Sequence, residues 1–165
     1  MDKNIILNQE QIKHITKRIA YQIYETFSDE NEIVIAGIAN SGFVFSQKIA
    51  KVLEEISDIK VLSCEVQVNK QNPIEPIMTS ISEQEYANKA VVLVDDVMNS
   101  GATLIYGVRH FLNVPIKKFK TAVLVDRNHK NYPVKADFKG ISLSTSSKEH
   151  IQVVFNQNEE YAYLS

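Results

Sequence analysis

The stretch Val91–Leu104, VVLVDDVMNSGATL, runs from four apolar residues into two adjacent aspartates, a polar turn with one glycine, and the start of a helical pattern. A short apolar run closed by turn residues reads as a strand buried on both faces, the kind found inside parallel sheets. Ligands of open α/β sheets bind beyond the carboxyl ends of such strands, which is where Asp95 and Asp96 fall. Asn99, Ser100, Gly101, Ala102 and Thr103 then lead into a helix N-terminus. Its unpaired amides and partial positive charge suit a phosphate monoester, and Gly101 permits a close approach or a positive φ. Taken singly, the aspartates read as helix caps and the glycine as a plain turn. Joined to the strand, they predict a ligand with neighbouring hydroxyls for the carboxylates and a phosphate for the loop. Ribose 5-phosphate meets that description.

Outward from this motif the same alternation repeats. Ile33–Ile38 (IVIAGI) is another apolar run, closed by Ala39, Asn40, Ser41 and Gly42 and followed by a helical stripe of Phe45, Ile49, Val52, Leu53 and Ile56. Before it, Ile12, Ile15, Ile19, Ile23 and Phe27 recur at spacings of three and four, and Asn8 with Gln11 resembles a capping box. VLSCEVQV (Val61–Val68) alternates as a strand does; TAVLV (Thr121–Val125) is one more buried run. Leu104, Val108, Phe111 and Leu112 mark a short helix stopped at Asn113 and Pro115. The pattern predicts one α/β domain over residues 1–165, a three-layer sandwich around a mainly parallel central sheet. ADFKGISLS (Ala136–Ser144) and HIQVVF (His150–Phe155) read as strands with no helix between them. They predict a small C-terminal antiparallel hood over approximately residues 136–165. Asn69–Asn88 is polar and broken by Pro73 and Pro76, which predicts a lid, a binding loop or a disordered segment.

Composition narrows the classes. Eighteen basic and twenty acidic side chains leave a net charge of −2, which argues against bulk binding to DNA or an anionic membrane. No apolar run approaches a membrane span, so a cytoplasmic protein without membrane contact is expected. One cysteine, Cys64, excludes an internal disulfide and a multi-cysteine metal site. Gly37 to Gly42 continues into Phe43 and Val44 rather than Lys and Ser/Thr, so there is no Walker loop, and GxGxxG is absent. A receiver domain carries its acidic pair after the first strand, whereas here it follows the third strand read from the pattern.

VVLVDDVMNSGAT resembles the phosphoribosyl-diphosphate (PRPP) motif of type I phosphoribosyltransferases. Four further blocks extend the resemblance over nearly the whole chain: ILNQEQIKHITKRIAYQIYE, GIANSGFVFSQKIAKVLEEI, VLVDRNHKNYPVKADFKG and STSSKE. They are most similar to the bifunctional pyrimidine operon attenuator and uracil phosphoribosyltransferase family. The resemblance implies the type I phosphoribosyltransferase fold and transfer of ribose 5-phosphate from PRPP to a nucleobase, uracil first. Asp95 and Asp96 would be the catalytic pair, holding the ribose hydroxyls. Asn99, Ser100, Gly101, Ala102 and Thr103 would cradle the 5′-phosphate. Ala39, Asn40, Ser41 and Gly42 would form the pyrophosphate loop, Lys70 would belong to the lid, and Asp126, Leu143, Ser144 and Thr145 would lie beside the base. Mg²⁺ is the implied cofactor, held mainly by substrate rather than by protein ligands. A homo-oligomer, dimer or larger, is the implied assembly.

The departures cluster on one side of the implied site. The family usually has Thr-Arg-Gly at Asn40-Ser41-Gly42, arginine at Ala102, and Tyr-Arg-Asp-Asp at Asn69-Lys70-Gln71-Asn72. Each lost guanidinium contact to a desolvated polyanion costs roughly 1.5–3 kcal/mol. Asn99 stands where purine-salvage relatives use an aspartate as base, and Ser144 where the family usually has proline. A second reading therefore stands beside the enzyme: a weakly active or inactive PRPP- or UMP-sensing regulator, with RNA as a candidate partner. Its candidate footprint is Lys13, His14, Lys17 and Arg18 on the first helix, with Arg127, His129, Lys130, Lys135 and Lys139.

Overall fold

The computed structural model describes residues 2–165. Its central sheet has six strands: β2 (Glu32–Ile38), β3 (Lys60–Gln67), β4 (Met78–Thr79), β5 (Ala90–Met98), β6 (Lys118–Asp126) and β7 (Phe138–Ser142), in the order β4-β3-β2-β5-β6-β7. All neighbours pair parallel except β4, which runs antiparallel on the β3 edge. The continuous apolar runs form the interior strands because both of their faces are covered. Ile33, Ile35, Val92 and Val94 join one core cluster; Val34, Ala36, Val91 and Leu93 join the other.

Helices α1 (Gln9–Thr26) and α2 (Ser41–Ile56) cover the first face with Ile12, Ile19, Ile23, Phe45, Ile49 and Leu53. The predicted capping box starts α1: Asn8 Oδ1 accepts from Gln11 N–H at 2.9 Å, and Gln11 Oε1 accepts from Asn8 N–H at 2.9 Å. The opposite face is covered by α3 (Glu83–Tyr86) and α4 (Ala102–Phe111). The direction in which strands are added to the sheet reverses between β2 and β5. The β2–α2–β3 unit leads one way along the sheet and β5–α4–β6 the other, so the crevice above β2 and β5 is the switch point where α/β sheets bind ligands.

Three sequence expectations change. ADFKGISLS does not enter an antiparallel hood; its core, β7, extends the main sheet parallel to β6. Alternation alone does not distinguish the two pairings, and here Phe138 is buried against the main core. The small antiparallel sheet is β1-β9-β8, built from β1 (Asn4–Leu7), β8 (Ile151–Phe155) and β9 (Glu160–Leu164). The N-terminus thus supplies one of its edges. Finally, the longest irregular stretch in the expected lid is residues 69–77, with short turns at 80–82 and 87–88. Beyond it, β4 docks on β3 and Tyr86 is fully buried against Phe111, with ring centroids 4.8 Å apart.

Arg18 also leaves the predicted basic strip. Its guanidinium donates to the carbonyls of Lys139 (3.2 Å) and Gly140 (2.7 Å), closing the exposed side of edge strand β7. No helix among the described residues is long and apolar enough to cross a membrane.

Candidate active site

Asp95 and Asp96 lie within the carboxyl-terminal half of β5, which runs on to Met98 rather than ending before them, beside the loop that follows β2. Asp95 is only 2% exposed, and its Oδ1 accepts from the Asp96 N–H at 2.8 Å and from Lys70 Nζ at 3.3 Å. Asp96 is less enclosed; its Oδ1 accepts from Val97 N–H at 2.8 Å and lies 3.8 Å from the same ammonium. Burial, then the neighbouring Asp96 charge, push the Asp95 carboxyl well above its ordinary range, and Lys70 pulls against both. Burial draws the Lys70 ammonium down, but the two carboxylates outweigh it and hold its pKa up. Irregular as it is, the segment after β3 places its one cation over the acidic pair.

Gly42 is what lets the β2 loop reach this corner. A Cβ there would stand 2.8 Å from Asp95 Oδ1 and 2.9 Å from Asp95 Cα, distances no side chain tolerates. Asn40 precedes α2 as its N-cap without a side-chain cap bond, and the Ala39–Asn40 peptide is cis. Ala39 N–H donates to Val66 O at 2.9 Å, which anchors the loop to β3.

Across the crevice, Gly101 adopts φ 88°, the left-handed region that favours glycine, and caps α4. Ser100 Oγ accepts from Ala102 N–H at 3.2 Å, and the first bond into the helix is Ile105 N–H to Gly101 O at 3.0 Å. The amides of Thr103 and Leu104 have no protein partner among the described residues. The crossover after β6 supports this turn from beneath, because Asn131 and Tyr132 N–H donate to Ser100 O at 2.8 and 3.2 Å. Lys70, Asp95 and the run Asn99–Thr103 line one cavity of about 170 Å³. Free amides at one wall and carboxylate with ammonium at another can hold a phosphate and a pair of hydroxyls together.

The residues expected beside the base are placed differently from one another. Asp126 is buried, and its Oδ1 accepts from Asn128 N–H at 2.9 Å while Oδ2 lies 3.6 Å from Lys139 Nζ. That carboxylate is occupied by its own turn. Leu143 N–H donates to Asp126 O at 2.9 Å, so Leu143, Ser144 and Thr145 follow β7 out at the same end of the sheet. The residue missed by sequence reasoning is Arg127. Taken there as part of a surface strip, it is 6% exposed, and its guanidinium donates to Asn99 Oδ1, Thr145 Oγ1 and the carbonyls of Ser146 and Glu149. One signal marked it: Arg127 stands two residues after the TAVLV run and directly follows β6, at the kind of strand end that drew attention to Asp95.

This geometry coincides with a match of residues 2–159 to the phosphoribosyl transferase domain model. The chain belongs to the phosphoribosyl transferase domain family. Within that family it is a type I phosphoribosyltransferase close to the PyrR proteins. It is 31% identical over 170 residues to the bifunctional protein PyrR of Clostridium novyi (strain NT), covering 94% of this chain and 92% of that one. It is also 31% identical over 169 residues to the bifunctional protein PyrR of Macrococcus caseolyticus (strain JCSC5402), covering 97% and 96%. The phosphoribosyltransferase fold is shared with the hypoxanthine phosphoribosyltransferase of Trypanosoma cruzi, with a TM-score of 0.76 at 19% identity over 86% of this chain and 82% of that one.

Proposed function

We propose that this chain transfers the ribose 5-phosphate unit of PRPP to a nucleobase, uracil by resemblance, and releases pyrophosphate. The observation that carries the reading is the single cavity lined by Lys70, Asp95 and Asn99–Thr103. The 5′-phosphate takes the open Thr103 and Leu104 amides and the Ser100 and Thr103 hydroxyls. The ribose hydroxyls donate to Asp95 and Asp96. A nitrogen lone pair of the base forms the new bond to the anomeric carbon, while the electrons of the old carbon–oxygen bond leave with pyrophosphate. Positive charge builds on the sugar meanwhile, and fixed carboxylates in a water-poor corner stabilise it. Lys70 helps keep Asp95 ionised for that role, against burial.

Mg²⁺ fits this donor set: the site offers hard carboxylate oxygen, with Asp96 the more accessible carboxylate. No group of three or more His, Cys, Asp or Glu stands ready among the described residues, so the ion would be held largely by substrate oxygens. When bound it would neutralise the leaving pyrophosphate.

The test is incubation with PRPP, Mg²⁺ and each labelled nucleobase in turn. UMP and pyrophosphate are expected from uracil. No nucleotide from any base, with ribose 5-phosphate still bound, overturns the enzyme reading.

One observation favours a regulator that binds RNA. Lys13, Lys17 and Tyr21 succeed one another at four-residue intervals along the exposed side of α1, with His14 also exposed and Tyr24 38% exposed. Cations in line with an aromatic ring suit single-stranded RNA. Arg18 and Arg127 drop out of the footprint because their guanidinium groups are engaged within the fold. RNA affinity that falls steeply with salt and responds to UMP supports this role; undetectable or salt-insensitive binding removes it.

A further inference from the structure

A guanidinium donates hydrogen bonds and accepts none. Arg127 Nη1 lies 2.8 Å from the Asn99 side chain, so the atom facing it must be the amide oxygen. The Asn99 NH₂ is thereby turned away, and it donates to no protein acceptor among the described residues. Asn99 is exposed at the rim of the cavity that holds Asp95 and the phosphate turn.

The arginine itself has no freedom to release that amide. Nε donates to Thr145 Oγ1 at 2.9 Å, Nη2 donates to Glu149 O at 2.6 Å and Ser146 O at 3.3 Å, and the Arg127 N–H donates to Met98 O at 3.1 Å. One buried cation thus joins the residue that opens the phosphate turn to the loop after β7. It also engages Thr145 as acceptor, which leaves the threonine hydroxyl proton to point elsewhere.

Resting on the transferase reading above, we infer that Arg127 is a positioning residue. It locks Asn99 as a hydrogen-bond donor toward the base, so the site selects a base presenting an oxo group or bare ring nitrogen there and rejects one presenting an amino group. A donor facing a donor leaves both unpaired in a desolvated site, whereas a donor facing a carbonyl gains a bond. A free asparagine has no such preference, because its amide can rotate by half a turn and offer its oxygen instead.

The experiment measures binding of UMP, CMP and ribose 5-phosphate to the wild-type chain, Arg127→Met and Asn99→Ala by titration calorimetry. Wild type is expected to prefer UMP over CMP at least about tenfold. Arg127→Met is expected to bring that ratio to within about threefold of unity while ribose 5-phosphate binding is retained, and Asn99→Ala is expected to abolish the ratio similarly. Because removing a buried arginine can unfold the chain, the wild-type Asn99 side-chain ¹H–¹⁵N signals are also followed by NMR. They should move with UMP and stay in place with ribose 5-phosphate alone. An unchanged UMP-to-CMP ratio in folded Arg127→Met, or Asn99 signals indifferent to UMP, overturns the inference while leaving the transferase reading intact. Failure of the wild type to bind UMP or ribose 5-phosphate overturns both.

Discussion

Lys70 Nζ stands 3.3 Å from Oδ1 of Asp95, so the lysine of the loop after β3 and the buried carboxylate of β5 form one ion pair. Lys70 remains 45% exposed, whereas Asp95 is almost wholly enclosed. The pair is therefore anchored on its acidic side and free on its basic side. PRPP differs from ribose 5-phosphate by its pyrophosphate, and that difference isolates the lysine's contribution. Lys70→Met is expected to weaken PRPP binding about tenfold, the loss of one charge-assisted contact. Ribose 5-phosphate binding should hold or improve. Equal losses for the two ligands in calorimetry would show that Lys70 serves the sugar corner only.

Asp95 places function against stability. Its carboxyl holds its proton more tightly in the fold than in the unfolded chain, chiefly through burial. Such a group favours the folded state fully below the unfolded value near 3.8 and loses that contribution as pH rises through the raised folded value. Above the unfolded value, Asp95 therefore works against folding. Asp95→Asn is expected to raise Tm at pH 7 by about 2–6 °C, with the gain fading as the pH falls toward the unfolded carboxylate value. Ribose 5-phosphate binding should drop at least tenfold in the same variant. A lower Tm at pH 7 would mean that the Lys70 contact outweighs burial.

Gly42 tests whether the β2 loop and Asp95 must touch. Its missing Cβ would enter space held by Asp95 Cα, which is backbone, and by Asp95 Oδ1, which is tied to the Asp96 N–H and Lys70. Gly42→Ala is expected to cost about 1–3 kcal/mol of stability through overpacking. Because strain there displaces a ribose ligand, affinity for ribose 5-phosphate should also fall about tenfold or more. Chemical denaturation with parallel calorimetry reads both, and a variant matching wild type in each would separate the two loops.

What could be read without coordinates followed from local physics. VVLVDD announces itself because a strand buried on both faces must be apolar throughout, and because two charges at its exit need a reason. The Asn8 capping box is likewise complete within four residues. The losses share a cause, dependence on distant partners. NIIL becomes β1 only because β9, at the other end of the chain, pairs with it. FKGIS takes a parallel place against β6 that its own alternation does not specify. Tyr86, inside a polar stretch, is buried by Phe111 from another helix. Arg127 looks like surface charge until the carbonyls of Ser146 and Glu149 are known to face it. The site was legible where one loop makes it and opaque where three loops meet.

The proposed pyrophosphate side offers the remaining test, because this chain differs there from the family it resembles. Ser41 begins α2 and Ala102 begins α4, at the two helix N-termini that flank Asp95, and neither carries a charge. Helix N-termini attract anions through their amides, but a bidentate guanidinium adds a stronger contact. Ser41→Arg and Ala102→Arg are each expected to tighten PRPP binding about tenfold, with little change for ribose 5-phosphate. The two changes should combine close to additively if both arginines contact different oxygens of the same pyrophosphate. Turnover of PRPP with uracil should then rise at subsaturating PRPP while the rate at saturation changes less. If neither variant alters PRPP affinity although both stay folded, the loops at Ala39–Gly42 and Asn99–Thr103 do not share one extended anion.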